Sequence, residues 1–296
     1  YDAKILCNKY IYYYLKSPLF ISQAIDNARG QAQVNIGPTH LKNFDFILPP
    51  LPEQERIVSI LDKAFSAIDQ AKQNAEKNLK NAKELFDSYL NGVFTNKGED
   101  WEDKKLGEVL EKTETIDPTK QPDKTFIYLD VSSVNKETKQ IELPTKILGI
   151  EAPSRARKLI KENDIIFATV RPTHCRVALI TPEYNNQVCS TGYFVIRPKK
   201  EMINNYIFYF LLTFDFLKNM ELLQKGANYP AVSENEVKNI IISYPKSLTK
   251  QKEIVEKLDV LSAETKQLEV IYQLKLTELE DLKKSILQKA FNGELI

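Results

Sequence analysis

The sequence predicts an α+β protein in which globular segments alternate with two long helices packed as an antiparallel coiled coil, the whole laid out as an internal duplication. Three observations predict this. The chain repeats itself at a spacing of about 196 residues, Asn8-Lys9-Tyr10-Ile11-Tyr12-Tyr13-Tyr14-Leu15 returning as Asn204-Asn205-Tyr206-Ile207-Phe208-Tyr209-Phe210-Leu211. Two long helical runs, opened by Gln54-x-x-Ile57-Val58-x-x-Leu61-Asp62 and Gln251-x-x-Ile254-Val255-x-x-Leu258-Asp259, end at matched phenylalanines, Phe94 and Phe291. Between them, residues 101–200 change texture to short β-type runs. The organisation that follows is the closing part of a first globule over 1–50, a central helix over 51–97, a second globule over 98–248 and a distal helix over 249–296. With Trp101 opening the second globule, the offset places the start of the first about a hundred residues before Tyr1, so the natural N-terminus is expected upstream.

In chain order, Gly37-Pro38 suits a helix start and Phe44–Leu48 reads as a closing strand. Residues 53–93 read as one helix, because Ile57, Leu61, Ala64, Ile68, Ala71, Ala75, Leu79, Ala82, Phe86, Tyr89 and Val93 recur in steps of three and four. Pro52, Glu53 and Glu55 fit its first turn. Such a helix is roughly 60 Å long. Its twin, about 250–291 with Thr249 as N-cap, carries Ile254, Leu258, Leu261, Leu268, Tyr272, Leu279, Leu282, Ile286 and Ala290. Each has one apolar stripe and is unstable alone in water, so the two are expected to cover one another. Strands are expected at Phe126–Val131, Asp164–Val170, Val177–Ile180, Tyr193–Ile196 and Ile240–Tyr244. Residues 203–224 read as aromatic-rich helix, 226–230 as a turn, and Ser233-x-x-Glu236 as a capping box.

Composition excludes several classes. At 43% hydrophobic and 27% charged residues, the chain is expected to be folded and soluble. Its longest largely apolar run, Tyr206–Phe214, is about half a membrane span. Three cysteines make no disulfide framework, which fits a reducing cytoplasm. A net charge of +1 means that any nucleic-acid binding has to come from local patches.

Enzyme signatures are weak. There is no phosphate-binding Gly-rich loop, and Pro49-Pro50 lacks the flanks of an amino-methyltransferase motif. His40 and His174 are the only histidines, and His174-Cys175 with Cys189 are poorly spaced for zinc. Asp123 with Glu137-x-Lys139 resembles a nuclease pattern, but Asn135–Gln140 is a polar turn rather than a strand aiming both side chains at one metal. No catalytic residue and no cofactor is therefore assigned. The basic signal is stronger: Arg155, Arg157, Lys158, Lys161, Arg171 and Arg176 stand against only Glu162 and Asp164, with Ser154, Thr169, Thr173 and His174 adding hydrogen-bonding groups. Pro172 stiffens the loop presenting Arg171. A second candidate is Lys225-Gly226-Ala227-Asn228-Tyr229-Pro230, where glycine allows close approach and Asn228 and Tyr229 suit a base edge or a stack. The bland alternatives are a solvated charged face and a plain turn.

Leu48-Pro-Pro-Leu-Pro-Glu-Gln-Glu-Arg-Ile-Val58, Trp101-x-x-x-Lys105-Leu106-Gly107-Glu108-Val109, Ser154-Arg-Ala-Arg-Lys158, Thr169-Val-Arg-Pro172 and Ser190-Thr-Gly-Tyr-Phe194 occur in that order. Together they resemble the specificity subunit of type I restriction–modification systems, over essentially the whole chain. That resemblance implies target-recognition domains joined by two conserved helices, each domain reading half of a split site in double-stranded DNA, with helix length setting the gap. It implies modification (methyltransferase) subunits docked on the helices, restriction (motor-nuclease) subunits joined through them, and catalysis in those partners. It also implies DNA contacts by Arg155, Arg157, Lys158, Arg171, Thr173 and the Asn228-Tyr229 loop, with Arg176 and Lys225 beside them and Gln31, Gln33 and Asn35 as the first domain's remnant. Pro245-Lys-Ser-Leu-Thr-Lys departs from Pro49-Pro-Leu-Pro-Glu at the second junction. A fragment of a longer subunit and a short subunit that pairs with a second copy remain alternatives, as do a coiled-coil adaptor and a stand-alone nuclease.

Overall fold

The computed structural model describes residues 5–28 and 35–295. In chain order its elements are α1 (Asn8–Leu15), α2 (Pro18–Asn27), α3 (Pro38–Leu41), α4 (Leu51–Thr95), β1 (Trp101–Lys105), β2 (Thr125–Leu129), β3 (Thr145–Leu148), β4 (Ala156–Ile160), β5 (Ile165–Ala168), β6 (Val177–Leu179), β7 (Gln187–Ser190), β8 (Tyr193–Ile196), α5 (Asn204–Phe210), α6 (Phe214–Leu223), α7 (Glu234–Lys238), β9 (Ile241–Pro245) and α8 (Leu248–Phe291). They form two compact units, residues 1–83 with 265–296, and residues 84–264.

In the first unit, α1 and α2 pack on the opening part of α4 and the closing part of α8 around Tyr10, Tyr13, Tyr14, Leu61, Phe65, Ile68, Leu287 and Phe291. The two long helices run antiparallel there, since Asp69 pairs with Lys283, Lys72 with Glu280 and Lys83 with Glu269. In this unit the buried and half-buried positions on α8 include Thr265, Glu269, Tyr272, Leu276, Leu279, Lys283, Ile286 and Ala290, in alternating steps of four and three, with Leu287 and Phe291 buried beside them. That is the spacing of a coiled-coil seam. Two expected seam residues, Leu268 and Leu282, instead face solvent at 37% and 47% exposure, and Thr265 and Leu276 take up the register. The reason is that a stripe counted from apolar residues passes over a polar seam residue such as Thr265, which is 3% exposed.

The second unit holds three sheets. β5 is central to the order β6-β5-β8, antiparallel throughout, and is apolar at every position. Its Ile165 and Phe167 join α5 and α6, while Ile166 and Ala168 join the core beneath the sheet β3-β2-β7-β4. A strand covered on both faces reads as a continuous apolar run, which is why it was legible. The expected strand 164–170 is shorter because Asp164 turns inward as an ion-pair partner and Val170 leaves the sheet for a bridge with Ala231. The expected 126–131 strand ends at Leu129, where Asp130 caps a 3-10 turn.

Three further expectations are corrected. Phe44–Leu48 is not a strand. Its counterpart β9 pairs with β1, whereas among the described residues of the first unit no strand lies alongside 44–48. Side chains take over its backbone groups: Tyr10 donates to Ile47 O (2.8 Å), and Gln23 exchanges bonds with Asp45 N and O. Thr249 lies inside α8; the helix is capped by Ser247, whose Oγ accepts from Lys250 N. In the second unit Leu90, not Tyr89, enters the core, at 1% against 40% exposure.

The duplication extends to individual bonds. Gln54 donates to Ile5 O (2.9 Å) and Pro49 O (2.7 Å) and accepts from Cys7 N (2.8 Å). Gln251 donates to Glu201 O (3.1 Å) and Pro245 O (2.9 Å) and accepts from Ile203 N (2.9 Å). Tyr13 donates to Asp62 and Tyr209 to Asp259, both at 2.5 Å. Ser17 and Thr213 cap α2 and α6 through the same bond to N3. Tyr10 meets Phe291 at 5.2 Å, and Tyr206 meets Phe94 at 5.1 Å. Among the described residues no helix is long and apolar enough to cross a membrane.

Candidate nucleic-acid interface

Two loops of the second unit, read separately in the sequence, meet in the structure. The first leaves β5 through Thr169, whose N–H and hydroxyl both donate to Gly192 O, at 2.9 and 3.0 Å. Gly192 is required here, because a Cβ would lie 2.6 Å from Val131 Cγ2. Arg171 then adopts the left-handed conformation (φ 50°, ψ 56°), Pro172–His174 form a 3-10 turn, and Cys175 is left-handed again (φ 47°). A left-handed residue other than glycine costs about 1–2 kcal/mol, and surrounding bonds must hold it. The second loop supplies them. Lys225 and Ala231 exchange N–H to carbonyl bonds of 2.9 Å each across a turn eased by Gly226 (φ 103°). Arg171 N–H donates to Pro230 O (2.6 Å), and Val232 N–H donates to Thr169 O (3.0 Å).

The junction presents an open polar surface. Arg171, Thr173, His174, Asn228 and Tyr229 are all exposed. The Arg171 guanidinium carbon lies 5.3 Å from the centroid of the Tyr229 ring, within cation–π range. Lys225 is 81% exposed while Nζ contacts Glu236 at 2.8 Å. Arg155 is exposed in the turn before β4, with its carbonyl held by Thr191 N–H at 2.8 Å.

The other predicted basic residues have partners within the unit. Arg157 lies 3.4 Å from Asp117 and donates to Ala156 O (3.0 Å). Lys158, just after the bulge where β4 pairs with β7, is 16% exposed and bonds Glu234 and Tyr193 O. Arg176 donates to Val134 O. Lys161 pairs with Glu114 at 2.5 Å, which with Arg197 holds the Glu114 carboxyl at about 2, well below the usual range. Arg197 also forks onto buried Asp164 with two 2.7 Å bonds. Sequence reasoning missed this pair and Glu234, because their partners lie 33 and 76 residues away with no local signal. Lys139, read in the sequence only as part of a nuclease-like pattern, donates from Nζ to Lys136 O and, at 2.8 Å, to Cys175 O, tying the 135–140 turn to the Arg171 loop.

That engagement removes Lys139 from the nuclease-like pattern, and Glu137 faces Lys136 at 3.3 Å. Among the described residues no group of three His, Cys, Asp or Glu is placed to hold a metal. Burial pushes the Cys189 thiol up to about 12 and raises that of Cys175. Gln31 and Gln33 lie outside the described residues; Asn35 is exposed.

The chain is similar to known proteins over much of its length. A family model described as "Type I restriction modification DNA specificity domain" matches residues 2–80 and 98–276. The "Type I restriction enzyme HindI specificity subunit" of Haemophilus influenzae is 24% identical over 167 residues, 54% of this chain and 35% of the relative. The crystal structure of the HsdS subunit from Thermoanaerobacter tengcongensis is 39% identical with a TM-score of 0.54, covering 57% of this chain and 44% of that one. A structure described as "Structural basis underlying complex assembly and conformational transition of the type I R-M system" is 35% identical with a TM-score of 0.58, over 63% and 47%. The chain thus spans about a third of that curated relative and under half of those two solved chains.

Proposed function

The chain belongs to the family of type I restriction modification DNA specificity domains, and we propose that it is a non-catalytic, sequence-specific reader of double-stranded DNA within such a system. The observation that carries this is the junction of the 169–176 and 225–231 loops, which holds Arg171, Thr173, Asn228 and Tyr229 exposed on a fixed backbone. Arg155 and Lys225 extend the surface as phosphate contacts, while Arg157, Lys158 and Arg176 brace the loops and contribute positive potential beside the DNA. Such an arrangement reads one half of a bipartite site.

Residues 5–50 are, in this reading, the closing part of a first recognition domain. Leu211 and Ile242 are fully buried by the second unit's β elements, while their counterparts Leu15 and Phe46 are 48% and 38% exposed. A globule of the kind formed by residues 98–248 fits that face. Val270, Ile271 and Leu274 expose an apolar strip on α8, at 69%, 49% and 57%, which suits docking of modification subunits, through which restriction subunits join. The described assembly of a related type I system supports such partners. Pairing of two copies through the same strip is the second reading. The site of action is the cytoplasm, which suits three free thiols.

Selection from a randomised duplex library, with the chain alone and with modification subunits, tests the proposal. A short enriched motif, weakened by Arg155→Ala and altered by Asn228→Ala, is expected; no enrichment in either condition would favour a protein-binding adaptor. A palindromic pair of motifs would identify the two-copy form.

A further inference from the structure

Among the described residues Arg155, Arg171 and Arg176 face no carboxylate, and of these three Arg171 alone lies beside an aromatic ring. Arg157, Lys158, Lys161, Arg197 and Lys225 each face a carboxylate. Among the described residues Arg171 enters no ion pair, and its side-chain neighbour is the Tyr229 ring, itself 73% exposed. An exposed tyrosine contributes little to a core, so packing does not explain the stack. The backbone around the pair is fixed instead: Arg171 is left-handed, its N–H is bound to Pro230 O, and Val170 bridges Ala231. Strain held in place by a second loop is the signature of a positioned side chain.

We propose that Arg171, seated on Tyr229, reads a guanine. A guanidinium in cation–π contact with a ring spends no hydrogen bond on it, so its N–H fork stays free, and that fork matches the O6 and N7 acceptors on the major-groove edge of guanine. A phosphate also accepts the fork, but it does so from many directions and is served equally by a freely moving side chain, whereas a base edge accepts it from one. Tyr229 is thus a positioning residue that holds the guanidinium in place, and Arg171 is the contact. The assignment rests on the DNA-reading function proposed above.

The test is library selection with the full chain as wild type, Arg171→Ala, Tyr229→Phe and Tyr229→Ala, each checked for an unchanged thermal transition. The wild type is expected to enrich a motif containing a guanine at one position. Arg171→Ala loses preference there by about ten-fold or more while the remaining positions keep theirs. Tyr229→Phe, which retains the ring, keeps the guanine; Tyr229→Ala, which has no backbone role to disturb, weakens it. A motif unchanged in Arg171→Ala, or affinity lowered equally for every sequence, would overturn the assignment while leaving DNA reading intact. Absence of any motif with the wild type would overturn DNA reading itself, and the assignment with it.

Discussion

Gln54 and Gln251 perform one task twice. Each is fully buried and ties the start of a long helix to the segment before an aromatic helix by two backbone bonds, with a third to the carbonyl that leads into the long helix. Replacing Gln251 with leucine strands three polar backbone groups, so a loss of about 2–4 kcal/mol is expected in denaturant unfolding. Asp164→Ala is expected to cost about 3 kcal/mol, because Arg197, 13% exposed, would keep only the more exposed Glu114 as a partner. Glu114 sets an acid limit. Its bond to Lys161, then that to Arg197, lowers its folded pKa to about 2, so its contribution is complete above its unfolded value near 4.5 and disappears as pH falls from there to about 2. Glu114→Gln should flatten the stability profile in that window alone. At this scale the sequence was half legible. Gln54 and Gln251 were visible as a matched pair, but what they bind was not, because the acceptors lie in other elements. Arg171 stood out beside its proline, yet its Tyr229 partner is 58 residues away, beyond any local pattern.

At the scale of elements, the long helices were the most legible because a 3.6-residue period sustained over forty residues leaves little ambiguity. Their faces were less so. Tyr89 and Leu90 fit a three- and a four-residue step equally well, and only the packed core decides between them. Leu90→Ala should therefore cost about 2–5 kcal/mol, while Tyr89→Ala should stay near 1 kcal/mol or below, a difference that paired thermal or urea melts resolve. Neutralising Lys72 or Lys283 should change stability by less than about 1 kcal/mol, since these interhelical pairs are largely exposed. Short strands fared unevenly. β5 and β8, buried at every position, announced themselves as apolar runs. β1, with its sequence Trp-Glu-Asp-Lys-Lys, could not, since its strand identity comes from pairing with β9.

At the scale of the whole molecule, duplication was the property the sequence stated most plainly. Each unit combines the beginning of one long helix with the end of the other and repeats the same Tyr–Asp, Gln–backbone and Tyr–Phe contacts. The modest net charge has a physical reading too: most basic residues of the 153–176 segment are paired internally, so the surface left for DNA is small. Its binding should weaken with salt by about 0.9 log units per decade for each phosphate contact. Arg155→Ala should reduce that slope by about one contact, measured by titration at several salt concentrations. In the proposed function, DNA is read at the joined 169–176 and 225–231 loops. Hydrogen–deuterium exchange of the chain, with and without the duplex it enriches, tests this most directly. Slowed exchange at Thr173–Arg176 and Gly226–Tyr229, absent with a scrambled duplex, is the predicted result; protection confined to the helices, with both loops unchanged, would contradict it.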